Sequence, residues 1–330
     1  MSHFLTAIAL LIGLTSTAFA QCSGTDLRPT LTAEEDAAIE AELAQTPFAV
    51  GNHWIAEKDG EVIHLIGTMH LSDPRLDAPY TRLRPVVQAA GKLLLEMTKD
   101  EEAKMQAALA SRMDMLILQD TSLPELLDEG EWQMLSAAMR ARGMPPVMGA
   151  KMQPWYVSML LSIPTCLQSA MQERNGLDAR LEALAGQSGV PTGALEPFDT
   201  AFEAFAAVPL EMQMSMLLAS LTEPGTSVDL FETLLSGYFD ESHAEIQMVL
   251  ERLSPRLTPL DDAESKAVFD MMDDTLVKAR NTAWIPVILE AAAETEGPVV
   301  AAFGAAHLGG EDGVLKLLQA AGFSLRRAAF

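Results

Sequence analysis

Glu61-Val-Ile-His-Leu-Ile-Gly-Thr-Met-His70-Leu71 is the stretch that decides the fold of this chain. An apolar run reaches Gly67, and a histidine follows three residues later. The same order returns near the other end as Val299-Val-Ala-Ala-Phe-Gly-Ala-Ala-His307-Leu308. Each Gly-x-x-His-Leu is followed by a helical stretch and a Gln-Ala-Ala-Gly turn, at 88–91 and 319–322. Short apolar strands separated by helices are the pattern of a mainly parallel sheet covered on both faces, an α/β fold.

Working outward, His53–Ile66 reads as a hairpin, because Asp59-Gly60 is a strong two-residue turn between β-prone runs. Gly91-Lys-Leu-Leu-Leu-Glu96 and Val190-Pro-Thr-Gly-Ala-Leu-Glu196 are two more short strands, each ending on a carboxylate. Val299–Phe303 and Ser324–Ala328 complete the strands. Leu31–Ala44 reads as a helix capped by Thr32. Residues 100–185 form a helical insertion in the α/β core, and 198–221, 228–253 and 263–293 read as further helices. Met212, Met214, Met216 and Met248 fall in these helices, where methionines at helical spacing are first of all core.

Composition bounds the function. The 330 residues are 49% hydrophobic, enough for a sizeable core, and the net charge is −24 with no basic block. Such a surface repels nucleic acid and anionic membrane. Residues 1–20 carry no charged side chain, contain the short apolar run Phe4–Leu14, and end in Ala18-Phe-Ala20. That is the form of a secretory signal peptide, leaving residues 21–330 as one exported domain, periplasmic or extracellular. No later segment is long enough to span a membrane. Cys22 and Cys166 are the only cysteines, and an even pair in an exported chain points to one disulfide.

Ligands of open parallel sheets bind beyond the carboxyl ends of the strands. Four strands here deliver polar residues to that edge: His70, Glu96, Glu196 and His307. Two histidines and a carboxylate are a usual ligand set for a catalytic divalent metal with positions left open for water. Glu196 is then a base or an orienter. Arg280, beside Asn281, is a candidate to hold a substrate carboxylate or a developing oxyanion. His64 shares a strand face with Val62 and Ile66 and reads as packed; His53 and His243 read as solvated. Asp178 reads as a helix cap or surface ion pair. There is no His-Glu-x-x-His helix, no Gly-x-Ser-x-Gly elbow and no phosphate-binding glycine loop.

The strand into Gly67-Thr-Met-His70, Leu95-Glu96, Gly176-Leu-Asp178, Leu195-Glu196, Arg280-Asn281 and Gly304-Ala-Ala-His307-Leu308 together resemble the TraB/PrgY/GumN family, most closely its exported GumN-like members. The resemblance implies a fold like that of the erythromycin esterase and ChaN group. It also implies kinship with the Tiki proteins, metal-dependent peptidases that use the two Gly-x-x-His histidines and the glutamate. By position those are His70, His307 and Glu96. The expectation is therefore a hydrolase of a peptide-like amide or ester, or of a small-molecule substrate, with Mn, Co or Zn held by these three residues. Two alternatives come with the same resemblance. One is a metal-independent esterase with histidine as base. The other is an exported protein that binds haem, iron or another ligand without turnover.

Overall fold

The structure is a computed structural model, and it describes residues 22–330 apart from 112, 169, 171 and 172. The expected signal peptide lies outside the described residues. Among the described residues six strands form one sheet: β1 His53–Lys58, β2 Glu61–Thr68, β3 Lys92–Leu95, β4 Thr192–Ala194, β5 Val299–Gly304 and β6 Ser324–Arg327. Their order is β4-β3-β5-β2-β1-β6. The first four are mutually parallel, whereas β1 runs antiparallel to both β2 and β6. The sheet is thus mostly parallel with an antiparallel margin. Asp59 and Gly60 both have positive φ, 51° and 94°, which is the tight hairpin turn their identities favour.

Period-two alternation sorts the strand residues between two cores. Ile66, Leu93, Leu95, Val300 and Ala302 face helices Asp77–Gln88, Leu177–Ser188 and Pro224–Phe239. Ile63, Leu65, Leu94, Ala301 and Phe303 face Trp284 and Ile288 of helix Ala279–Glu294 and Leu315 and Leu318 of helix Val314–Ala320. The central helices build an apolar cluster of their own around Leu123, Leu135, Met139, Val157, Leu161 and Leu217. Met212, Met214, Met216 and Met248 all pack in apolar clusters.

Two of the three long helical stretches are divided, for local reasons. The stretch 198–221 splits into Thr200–Ala207 and Leu210–Ala219, because Pro209 cannot continue the first helix. The stretch 228–253 splits at Glu241, whose φ is +58°, into Pro224–Phe239 and His243–Leu257. The third runs unbroken from Asp262 to Glu294 but carries a π-helical turn at Asp273–Lys278. Thr32 caps Ala33–Leu43 through a reciprocal bond with Glu35. Cys22 and Cys166 form the expected disulfide, joining positions 144 residues apart. Among the described residues no helix is long and apolar enough to cross a membrane.

His53 and His243 are not solvated as their local sequence suggests. His53 is 4% exposed because β6 and the residues after it cover β1: its Nδ1 meets Ala329 O at 2.8 Å and its Nε2 meets His64 Nδ1 at 3.1 Å. His243 opens its helix against Phe48 O, 3.1 Å from Nε2. Burial pushes both imidazoles below the ordinary value.

Candidate functional site

The strand order makes neighbours of the four strands that end in polar residues. β4 leads to Glu196, β3 to Glu96, β5 to His307 and β2 to His70, all at the carboxyl edge. Thr68, the last residue of β2, pairs with Gly304, the last of β5, so the two Gly-x-x-His corners start side by side. Gly67 makes that contact possible: a Cβ there would lie 2.7 Å from Leu308 Cδ1 and 3.0 Å from Ala305 Cα. Gly176 plays a matching part, since a Cβ would sit 2.4 Å from the carbonyl carbon of His70. Leu177 N–H donates to Met69 O at 2.9 Å, which fixes the start of helix Leu177–Ser188 against the first corner.

His307 is the last residue of a 3-10 turn, Ala305–His307, and is 5% exposed. Its Nδ1 is 2.7 Å from Asn281 Oδ1. Asn281 is itself fully buried and donates its amide to Asp312 O at 2.9 Å, so its oxygen is the end that faces the ring. Nδ1 therefore carries the hydrogen and Nε2 presents a lone pair to the site. Trp284 stacks at a tilt on the ring, centroids 4.4 Å apart. Burial pushes the His307 pKa down to about 4, against the pull of the Glu96 charge. This imidazole is neutral at physiological pH.

His70 has the opposite surroundings. Its side chain is 56% exposed, and Nδ1 lies 3.1 Å from Asp178 Oδ2. The protein around the ring opposes its charge, but the Asp178 hydrogen bond and charge, with the charge of Glu96, prevail and raise its pKa to about 9. Asp178 keeps its other oxygen, Oδ1, buried without a partner, as is Thr68 Oγ1. Tyr238 closes the back of this corner by donating its hydroxyl to Gly67 O at 3.1 Å.

Arg280 joins the two carboxylates. Its Nη2 donates to Glu96 Oε2 at 2.9 Å and to Glu196 Oε1 at 2.6 Å, and Nε donates to Glu196 at 3.0 Å. Nη1 donates to Leu276 O at 3.1 Å and points at His307 Nε2 from 3.5 Å. All five N–H groups of the guanidinium are thus engaged within the protein. The three side chains are 9–13% exposed. Glu96 Oε1 accepts from Gly304 N–H and lies 3.9 Å from His307 Nε2. Burial works against the Glu96 charge, yet the two histidines, Arg280 and the Gly304 amide hold its pKa at about 2. Glu196 also accepts the Trp284 indole N–H at 2.8 Å.

A sequence model of one family matches residues 52–327, a span that contains every residue of this site. The chain belongs to the TraB/PrgY/gumN family. Comparison with curated proteins finds no match. Across the family match the structure brings together His70, Glu96, Glu196, Arg280 and His307, the five side chains singled out from the sequence. It adds three that sequence reasoning did not assign to the site: Asp178 behind His70, Asn281 behind His307 and Trp284 behind Glu196. Their local signals were present, in Gly176-Leu-Asp178 and Arg280-Asn281, but each acts on a residue distant in the chain.

Proposed function

We propose that this member of the TraB/PrgY/gumN family is an exported hydrolase of a peptide-like amide or ester. The observation that carries the reading is the treatment of the two imidazoles. Each has Nδ1 tied to a protein oxygen, Asp178 or Asn281, which leaves Nε2 as the working nitrogen of both. Their pKa values are pushed in opposite directions around one ionised carboxylate, and that separation is how acid and base roles are divided in active sites. With no ion bound, His70 is the proton donor of the pair and His307 the neutral acceptor; an ion would instead take the Nε2 lone pair of both. The disulfide supports the exported location, since such bonds persist in oxidising compartments.

In donor type the site suits the divalent ion that the family resemblance implies, although among the described residues no three such donors are grouped to hold one as they stand. Two imidazoles oriented through Nδ1 and a carboxylate held ionised are the chemistry such an ion takes. His70, His307 and Glu96 would hold it, and Mn, Co or Zn bound there would supply Lewis acidity to activate water and polarise the scissile carbonyl. Asp178 and Asn281 orient the imidazoles. Glu196 orients Arg280, because its oxygens are already taken by Arg280 and Trp284. Arg280 fixes Glu96; to hold a substrate it must release one of its present acceptors.

One observation favours a metal-independent hydrolase with histidine as base as the second reading. The Arg280 guanidinium already reaches towards His307 Nε2 beside Glu96, and so supplies positive charge where the ion would. A single experiment separates the two. Protein purified without chelator is assayed for metal content and for hydrolysis of peptide and ester libraries, beside His70→Ala and His307→Ala. The expected result is about one ion per wild-type chain, less in both variants, and turnover lost on chelation. Equal metal content in all three proteins overturns the ligand assignment. Turnover that survives chelation but needs both histidines selects the second reading.

A further inference from the structure

We propose that the helical region holds a second ligand site, an apolar pocket that takes the hydrocarbon chain of an uncharged amphiphile. The pocket has a volume of about 400 Å³, within the range of small-molecule sites. It shares no residue with the polar site at the sheet edge. Trp155, Phe205, Phe231, Phe269 and Met216 line it, with Trp155 stacked on Phe205 at a centroid distance of 5.5 Å. Met159, Leu234 and Met272 also line it, and each is 37% exposed, so the lining continues onto the surface as an apolar mouth.

Charge decides the class of ligand. Among the described residues, none that lines the pocket is acidic or basic, in a chain that is 21% charged. Seven hydroxyls line it, and four of them are committed as donors to backbone carbonyls. Ser158 donates to Met216 O, Ser162 to Met159 O, Ser220 to Leu217 O and Ser227 to Pro224 O. A carboxylate or phosphate drawn into this lining would lose its water and find no charge partner, which is costly. The net charge of −24 adds repulsion at longer range. A hydrocarbon chain has the reverse balance. It removes the exposed apolar lining from water, gaining about 25 cal/mol for each Å² covered. Methionine walls adapt to such a chain without a fixed shape.

The test is a fluorescence titration of the purified protein with N-phenyl-1-naphthylamine, an uncharged probe. Displacement by monododecanoylglycerol is compared with displacement by dodecanoate, which has the same chain and an anionic head. The neutral ester is expected to displace the probe at a concentration about tenfold or more below that needed for dodecanoate. Ser162→Trp at the exposed rim obstructs the mouth, and Leu234→Glu places a charge in it. Both variants should weaken probe binding by about tenfold or more while circular dichroism and melting temperature stay at wild-type values. Should one variant fail to fold, the other carries the test. Absence of probe binding, equal displacement by ester and dodecanoate, or wild-type affinity in the folded variants overturns the proposal.

Discussion

The two Gly-x-x-His corners share a sequence pattern and a strand edge, yet they hold their imidazoles in opposite states. His70 stands in the opening against a carboxylate and keeps its proton up to about pH 9. His307 is buried against an amide and a tryptophan and stays neutral down to about pH 4. The motif brings each ring to the edge of the sheet. The residue behind Nδ1, supplied from elsewhere in the chain, sets what the ring does. Repetition of a motif is therefore a statement about placement, and chemistry is decided by the unrepeated partners.

The largest disturbance of both corners at once comes from Arg280→Met. It leaves Glu96 and Glu196 buried without their cation, a loss of about 3–5 kcal/mol in unfolding free energy by urea denaturation. A loss below about 1 kcal/mol would show that the carboxylates are solvated, contrary to their placement. Gly176→Ala disturbs the first corner alone. Its Cβ meets the His70 backbone, so overpacking should cost about 1–3 kcal/mol and shift the His70 imidazole resonances while those of His307 stay in place.

Exchanging the partners sharpens the contrast further. Asn281→Asp puts a carboxylate behind His307 and should raise its pKa from about 4 by roughly 1–3 pH units. Asp178→Asn should lower the His70 pKa from about 9, since it removes the carboxylate charge that raises it. Imidazole titration by NMR reads both, and unchanged values in either variant contradict the assigned cause.

The smallest expected effect is on stability against pH in chelator-treated protein. The His70 value is raised above the ordinary 6.5, so its contribution is whole below pH 6.5 and lost as pH climbs through about 9. The His307 value is depressed, so the folded state is penalised as pH falls from 6.5 towards about 4. From these two groups, stability should peak near pH 6.5. His70→Ala should flatten the alkaline side and His307→Ala the acid side of the urea midpoint profile. The reverse assignment of limbs would contradict the electrostatics described.

Much of this was legible in the sequence because it rests on local patterns. Asp59-Gly60 dictates a hairpin, and apolar strands ending on His70, Glu96, Glu196 and His307 dictate a polar edge. What escaped depends on contacts across the fold. Asp178 is 108 residues from His70, and nothing near either shows the pairing. Arg280 looks free in its own helix, and only the approach of two strand ends consumes its donors. His53 looks solvated until the C-terminal segment covers it. Helix breaks at Glu241 and the π-turn at Asp273–Lys278 leave the apolar periodicity almost undisturbed, so periodicity alone passes over them.

The most direct measurement is a titration of the ¹⁵N-labelled imidazoles of the metal-free protein by NMR, with His70→Ala and His307→Ala to assign the signals. The expected result is one site ring that titrates near pH 9 and one near pH 4, with the neutral His307 carrying its hydrogen on Nδ1. Two rings that titrate together close to 6.5 would contradict it, and with it the division of acid and base between the two corners.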